Sequence, residues 1–455
     1  MKQSYLKLSV AALMLASMQC SSLSASAQVA DSMEEATLKP KPAEPFAFGD
    51  FTWVQGTNRQ HSSLLDSKYF TGGLTIDCNY NYSFNHPIDH STSGSTATFR
   101  SDEFNLSYVE AGGEVHDPKS GAHAKLMLQF GTRATGIPRN DNTTLRGQYD
   151  LANALRYVTE GYAGMHFNKM HGINLDFGIF KSYVGLLSYN NFENWNYQPS
   201  YTSDNTPWFF TGARLQMFPT EKLKIEIWAI NGWQSYGMFN EMPGLGYQLL
   251  WRPNSSLSLT HSSYFGWDTP NTPDRLRFHT DNSAIVRYLN RPTNKFISKA
   301  AFSLTGDLGF ENGAGVVPFN GTAATPAQNF LSLMAYNRFW LGKSQQFAFT
   351  CGGGYINNPG RYLALLPAGN GVMTQNPGDK FEGWDASANV QFMPNEYVTF
   401  GAEFVTRHTN VPYFSGHGGV TSPNGWNAPI GNPTGYVADL VKDENRIILS
   451  AIFRF

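Results

Sequence analysis

Three side chains of the types found in hydrolase triads occupy alternate positions of one segment: His279, Asp281 and Ser283. In an extended strand, side chains two residues apart lie on the same face, so all three would point the same way. Same-face neighbours in a strand stand roughly 7 Å apart, whereas the hydrogen bonds of a triad need atoms within about 3.2 Å of each other. The spacing argues against catalysis, and we predict that the protein is not an enzyme.

Another group, His86, Asp89 and His90, has side chains that can bind metal ions. Such a pair of histidines in a loop is usually just solvated. The glycine run Gly352 to Gly354 lacks the pattern of a phosphate-binding loop. We therefore expect neither a metal site nor a cofactor.

The elements that carry these residues show a period of two. Every even position between Gly72 and Phe84 is apolar or aromatic, and the odd positions are small or polar, which is typical of a β-strand with one apolar face. About 16 such segments recur, each near the roughly 10 residues of a tilted membrane strand. Further examples begin at Ala124, Ile173, Leu223, Phe347, Val398 and Ile447.

Composition and connection lengths favour a membrane barrel. Only 15% of residues are charged, against roughly 25% in soluble domains, and no apolar run is long enough for a helical span. Short turns at 168–172, 219–222, 253–256, 341–343 and 394–396 alternate with long connections at 85–101, 134–156, 184–206, 311–326, 358–378 and 408–442. We predict an all-β, antiparallel, up-and-down transmembrane barrel of about 16 strands (roughly 14–18), with short periplasmic turns and long extracellular loops. A soluble β-sandwich or propeller is the alternative, but we find no propeller repeat.

Residues 1–27 have the pattern of a secretory signal peptide. Lys2 and Lys7 precede a short apolar run, and Ala25 to Ala27 offers a cleavage site. Residues 28–67 would form an N-terminal periplasmic leader or a segment inside the lumen, and residues 68–455 the barrel. A lipoprotein beginning at Cys20 is the alternative. The remaining cysteines, Cys78 and Cys351, are expected to stay unpaired.

The polar face of each strand predicts which side chains line the lumen. The inward cations would be Lys125, Arg133, Arg214, Lys224, Arg277, Arg287, Arg338, Arg407 and Arg454. The inward acids would be Asp77, Glu103, Glu160, Asp176, Glu226, Asp281, Asp307, Asp385 and Glu403. Because the two sets balance, we predict no strong ion selectivity. Alternatively, the charges pair within the wall and only keep the lumen wet.

Two of the long connections could shape the passage. Leu145, Tyr149, Ala152 and Leu155 have near-helical spacing, so a short helix could fold inward and narrow the pore. The next long connection carries Trp195, Tyr197, Tyr201 and Trp208, aromatic rings that could stack on sugars. Aromatic residues near a barrel rim more often anchor the lipid interface or pack a loop.

Three short motifs follow one another in order: Phe48 to Trp53, Glu193-Asn194-Trp195 with Pro207-Trp208-Phe209, and Asn231-Gly232-Trp233. In order and spacing they resemble the OmpL-like family of β-barrel porins of the bacterial outer membrane, over most of the chain after the signal. The resemblance implies an outer-membrane location and a transport function, and it implies no catalytic residues. Phe453-Arg454-Phe455 is similar to the terminal signal that the barrel-assembly machinery reads, so Phe455 would bind that machinery.

The sequence thus predicts an outer-membrane porin that allows passive diffusion of small hydrophilic solutes. Two alternatives stay open: a channel selective for sugars or apolar compounds, with residues 46–56 as an internal hatch, and a closed structural or adhesion barrel. Expected partners are outer-membrane lipid and the solutes, with a homo-oligomer left open. A net charge of −2 argues against nucleic acid.

Overall fold

The computed structural model describes residues 43–141, 143, 149–322, 325–363, 380–418 and 439–455. The predicted signal peptide, residues 1–27, and residues 28–42 of the predicted leader lie outside the described residues. The described residues belong to one compact unit, which begins at Ala43.

Sixteen antiparallel strands close into one barrel, which confirms the predicted fold class. In chain order the strands β1 to β15 are Phe70–Ser83, Phe104–His116, Ala122–Phe130, Val158–Phe167, Ile173–Lys181, Phe209–Thr220, Leu223–Ile230, Gly244–Asn254, Leu257–Gly266, Leu276–Asn290, Ile297–Asn312, Asn329–Leu341, Phe347–Asn358, Phe381–Asn395 and Val398–Thr409. Two short strands, β16 (Phe414–Ser415) and β17 (Leu440–Val441), pair with each other in a separate two-stranded sheet. The last strand, β18 (Asp443–Arg454), lies between β15 and β1.

The closing contact joins the end of the chain to the start of the barrel. β1 and β18 pair from Thr75↔Arg454 to Ser83↔Arg446. The backbone N–H of Leu74 donates to the carbonyl of Phe455 (3.0 Å). Because a closed barrel has no free edge, every strand satisfies its backbone groups without water, as a bilayer requires.

The outward face is apolar, as the period of two predicts. Phe104 is 90% exposed, Phe177 60% and Leu449 52%, and transferring a side chain of this size from water to hydrocarbon contributes about 2 kcal/mol. At the short-turn rim, Phe347 stacks on Phe392 with ring centroids 4.7 Å apart. Such aromatic rings form the girdle of a membrane barrel.

The helices that the structure describes are short and lie in the long connections. They are α1 (Arg133–Gly136), α2 (Leu151–Leu155) and α3 (Tyr201–Asp204), with 3-10 turns at Ile137–Asn140 and Asn191–Glu193. Among the described residues, none of them is long and apolar enough to cross a membrane. Cys78 and Cys351 are both free, as predicted.

Candidate functional site in the barrel lumen

The connection between β5 and β6 folds back into the barrel and fills its middle. We call this connection, residues 182–208, the inner loop. It is rich in Asn, Ser and aromatic residues, and most of its side chains are buried. Asn190 caps its first turn by accepting a hydrogen bond from the backbone N–H of Phe192 (3.2 Å). The loop therefore behaves as ordered structure rather than as an exposed loop.

Carboxylates on the opposite wall hold the inner loop in place. Glu403 on β15 accepts hydrogen bonds from the backbone N–H groups of Tyr197 (2.6 Å) and Gln198 (3.0 Å). On the neighbouring β14, Asp385 accepts one from the backbone N–H of Tyr201 (2.9 Å). These strands lie across the barrel from β5 and β6. Because hydrogen bonds to buried carboxylates are strong, the loop is fixed from wall to wall.

A third carboxylate, Asp77 on β1, binds the same loop. The hydroxyl of Tyr197 (2.7 Å) and the side-chain amide of Asn191 (3.1 Å) both donate to it. Three residues predicted to line open water, Asp77, Asp385 and Glu403, therefore anchor the loop that crosses the lumen.

Predicted inward cations hold the loop as well. The guanidinium of Arg407 donates to the carbonyl of Pro199 (2.7 Å) and to the carboxylate of Asp204 (2.9 Å). Arg338 donates to the carbonyl of Trp195 (3.1 Å). Both arginine side chains are almost completely buried, so their charges act inside the lumen.

An ion pair on β18 that was not predicted from the sequence contacts the same loop. Arg446 lies 3.2 Å from Glu444 and donates to the side-chain oxygen of Gln198 (2.8 Å). Both charged residues alternate with the outward Ile447, so the period of two could have revealed them. Lys181, at the end of β5, was missed too and pairs with Glu110 (2.7 Å).

Most other predicted charges pair within the barrel wall. These pairs are Lys125–Glu160 (2.9 Å), Arg214–Asp176 (2.7 Å), Lys224–Glu226 (2.8 Å) and Arg277–Glu311 (2.8 Å). Arg133 lies in α1 rather than on a strand and donates to the carbonyl of Tyr189. Glu103 precedes β2 and pairs with Arg100 (2.7 Å). That these residues line a permeation path stays a prediction.

A second segment, residues 43–61, crosses the short-turn end of the lumen, and we call it the N-terminal segment. It enters beside the β6–β7 turn, where the backbone N–H of Phe46 donates to the carbonyl of Glu221 (2.8 Å). It leaves beside the β14–β15 turn, where Arg59 donates to the carbonyl of Val398 (2.8 Å). Those two turns are far apart around the barrel, so the segment spans the opening.

The two lumen segments touch at the middle of the barrel. Gln55 accepts a hydrogen bond from Ser303 on β11 (2.9 Å) and donates to Asn196 of the inner loop (3.1 Å). At the next residue, Gly56 has φ +77°, and a Cβ there would clash with the carbonyl oxygen of Leu186. Glycine is therefore required for this close crossing.

Two cavities remain on either side of the N-terminal segment. One, of ≈310 Å³, is lined by Arg338 and Lys299 together with residues of the β12–β13 and β14–β15 turns, and we call it the Arg338 cavity. The other, of ≈340 Å³, is lined by Arg214 and neighbouring charges, and we call it the Arg214 cavity. Val54 and Thr57 line both, so the segment is their common wall.

Two charged groups of the N-terminal segment have shifted pKa values. Burial works to raise the pKa of Asp50, but hydrogen bonds from Thr52 and the charges of Lys299 and Arg287 hold it below its ordinary value. Burial lowers the pKa of Arg59 to about 10, opposed by a nearby carboxylate. Both groups keep their charges at neutral pH.

The four aromatic residues considered for sugar stacking are packed inside the molecule. The indole N–H of Trp195 donates to the carbonyl of Trp53 (3.2 Å), and the Arg407 guanidinium lies 4.8 Å from the ring centre of Tyr201. Tyr197 and Trp208 are buried as well. Stacking of sugars on these rings stays a prediction.

The connection that was expected to narrow the pore lies at the long-loop end of the barrel. Leu145 lies outside the described residues. The described part forms α1 and α2, and Ile137 and Ala152 pack in one apolar cluster with Trp208 and Tyr236. The main obstruction described in the lumen is thus the inner loop, which was expected among the long extracellular loops.

The triad-like residues on β10 lie at the inward face but do not form a triad. The hydroxyl of Ser283 contacts Asp281 (3.4 Å) and Thr305 (2.9 Å). His279 Nε2 lies 3.6 Å from Asp307 instead. Among the described residues, no group of three or more His, Cys, Asp or Glu side chains is arranged to hold a metal ion.

The sequence that forms this barrel matches the model of a known family. The model of the family described as "Putative beta-barrel porin-2, OmpL-like" matches residues 69–455. The chain belongs to this family. It is therefore an outer-membrane β-barrel of the porin class, as its outward apolar face and polar lumen indicate. No curated protein is similar enough in sequence to give a match.

Several solved outer-membrane proteins are similar to this OmpL-like porin in fold. The channel DcaP of Acinetobacter baumannii is 10% identical, with a TM-score of 0.50, over 87% of this chain and 100% of that chain. OprB of Pseudomonas putida is 9% identical with a TM-score of 0.49, over 85% and 94%. OmpT of Vibrio cholerae, in its trimer form, is 8% identical with a TM-score of 0.48, over 86% and 100%. At these identities the similarity to DcaP concerns the fold alone.

Proposed function

We propose that the protein lets small hydrophilic solutes diffuse passively across the outer membrane. The observation that carries this proposal is the inward face, where charged side chains from many strands meet in a closed barrel of a porin family. A polar interior is what a water-filled channel needs. The two cavities beside the N-terminal segment supply the room for such solutes.

The passage is narrow, because two chain segments share the lumen. The inner loop and the N-terminal segment meet at Gly56, whose N–H donates to the carbonyl of Glu193 (3.1 Å). Only water, ions and small solutes would pass between them and the wall. Because the four aromatic residues considered for sugar stacking are packed inside the molecule, the proposed diffusion does not depend on sugar recognition. It involves no catalytic step.

The buried inner loop also favours a second candidate, a barrel whose lumen stays closed and which acts as a structural or adhesion protein. Its support is the extensive anchoring of the loop by Asp77, Asp385 and Glu403. The two candidates differ in one measurable property, ion conductance.

Assembly through the C-terminus is part of the same proposal. Phe455 lies at the short-turn rim, 36% exposed, and its ring stacks near Tyr397 with centroids 6.1 Å apart. A C-terminal aromatic residue in this position is accessible to the assembly machinery before the barrel closes. The outward apolar face is the surface for outer-membrane lipid.

Purified protein in planar lipid bilayers tests the proposal. We expect stepwise ion conductance, and swelling of proteoliposomes in small polar solutes but not in large ones. Gel mobility that changes on boiling provides the control that the barrel is folded. A folded, inserted protein that conducts no ions would contradict the porin proposal and favour the closed barrel.

A further inference from the structure

The Arg338 cavity is positively charged. Its lining includes Lys299 on β11, Arg338 on β12 and Arg59 of the N-terminal segment. Two carboxylates also line it, Glu193 and Glu396. These five groups leave an excess of positive charge, which is increased because Glu193 is already paired with an arginine of β18.

The hydrogen bonds of Arg338 go to neutral acceptors. Arg338 donates to the carbonyl of Trp195 (3.1 Å), to Thr350 (3.0 Å) and to the side-chain oxygen of Gln391 (2.7 Å). Among the described residues no carboxylate lies within 4 Å of its guanidinium. Its positive charge is therefore buried without a matching negative charge, which is unfavourable unless a further anion is present.

The two other cations of this cavity each have one nearby carboxylate, Glu396 for Arg59 and Asp50 for Lys299. Arg59 donates to the backbone carbonyls of Asn395 (2.9 Å) and Val398 (2.8 Å). Lys299 forms one long ion pair, with the carboxylate of Asp50 at 3.8 Å. An ammonium group has three donors, so Lys299 retains hydrogen-bonding capacity toward the cavity.

The cations also repel one another. Arg338 lies close enough to both Arg59 and Lys299 for like-charge repulsion. Low-dielectric walls around a cleft of one charge sign focus its field and raise the local concentration of counter-ions. An anion in the cavity would relieve the repulsion and supply the missing partner.

We propose that the Arg338 cavity is a binding site for small organic carboxylates at the periplasmic end of the lumen. The Lys299 ammonium donates directly to a carboxylate oxygen, while Arg59 and Arg338 contribute their charge. The cavity volume of ≈310 Å³ admits a short dicarboxylate. This proposal rests on the proposed passage of solutes, and it names the class of solute that the passage favours.

Calorimetric titration of the purified, full-length barrel in detergent tests the proposal, with succinate as the probe and succinamide as its uncharged counterpart. We expect succinate to bind and succinamide to give no signal. Lys299→Gln should weaken succinate binding roughly tenfold, the factor that corresponds to 1.4 kcal/mol. Lys343→Gln is the matched control, because Lys343 is exposed in the β12–β13 turn and does not line the cavity.

Either of two results would overturn the proposal: succinate that binds no better than succinamide, or Lys299→Gln that binds succinate as tightly as Lys343→Gln. Should Lys299→Gln not fold, as judged by gel mobility, Arg59→Gln replaces it, because Arg59 lies outside the strands. Conductance of the same preparations separates the two proposals. A protein that binds succinate but conducts no ions would contradict the porin function and leave this binding site supported.

Discussion

The two cavities differ in how their charges are balanced, although they have similar volumes and share a wall. In the Arg214 cavity, Arg214 lies 2.7 Å from Asp176 and Lys224 lies 2.8 Å from Glu226. In the Arg338 cavity, Arg338 contacts only neutral acceptors. Most cations of the Arg214 cavity are thus paired with carboxylates at short range, with Arg252 as the exception, whereas Arg338 has no carboxylate partner among the described residues.

This difference shows that a balanced count of inward charges does not make a neutral lumen. Paired charges in the wall cancel each other at short range and mainly keep the surface wet. Unpaired cations act on any solute that enters. The places along the barrel axis where these pairs form therefore decide the ion selectivity, and the expectation of no strong ion selectivity stays a prediction.

Shortening the inner loop should have the largest effect, because this loop lies beside both cavities. We predict that replacing residues 188–204 with Gly-Gly-Ser raises single-channel conductance several-fold. The replacement should also remove the difference in charge balance between the two cavities. The anchoring carboxylates Asp77, Asp385 and Glu403 would then face water. Planar bilayer recordings in symmetric KCl measure the change.

The same linker in place of residues 314–322 provides the control for this experiment. That stretch is a largely exposed part of the β11–β12 connection, so its removal should leave conductance unchanged. Equal conductance for wild type and the inner-loop variant would show that this loop does not limit the passage.

Removing one cation from each cavity should reveal their different pairing as a difference in stability. Arg214→Gln leaves the fully buried Asp176 with His123 as its remaining partner (2.7 Å), which should lower the free energy of unfolding by about 3 kcal/mol. Arg338→Gln leaves no carboxylate unpaired and should cost only about 1 kcal/mol. Urea unfolding in lipid or detergent, followed by tryptophan fluorescence, gives both values. Equal losses of unfolding free energy would mean that the charges of Arg214 and Arg338 are balanced to the same degree.

The barrel itself was predictable from the sequence. The period of two between Gly72 and Phe84 gave the correct outward face of β1, and the short turns gave the correct strand order. These features depend on local backbone geometry, because a strand must alternate its faces wherever it lies. The inward position of Arg338 and Glu403 followed from the same rule.

The contents of the lumen were not predictable in this way. The inner loop has no period, and its position depends on side chains from strands far apart in sequence, such as Asp77 and Glu403. Whether a lumen charge pairs with a neighbouring strand, as Arg214 does, or with neutral groups, as Arg338 does, depends on register and on the loop. A sequence pattern identifies the face of a side chain but not its partner.

The smallest effect is expected from Asp50, the distant carboxylate of the Arg338 cavity. Asp50→Asn removes the negative charge 3.8 Å from Lys299, so anion preference should rise slightly, seen as a shift of reversal potential in a KCl gradient.

The pKa of Asp50 is lowered in the folded protein, so its charge is present at neutral pH and is lost only as the pH falls through that lowered value. The shift between wild type and Asp50→Asn should therefore persist at neutral pH and disappear in acid. Because Asp50 is partly exposed to solvent, its field is screened and the shift should shrink in concentrated salt. A reversal potential that is the same for both proteins at neutral pH and low salt would remove Asp50 from the charge balance of this cavity, and Lys299 would then count as a full positive charge.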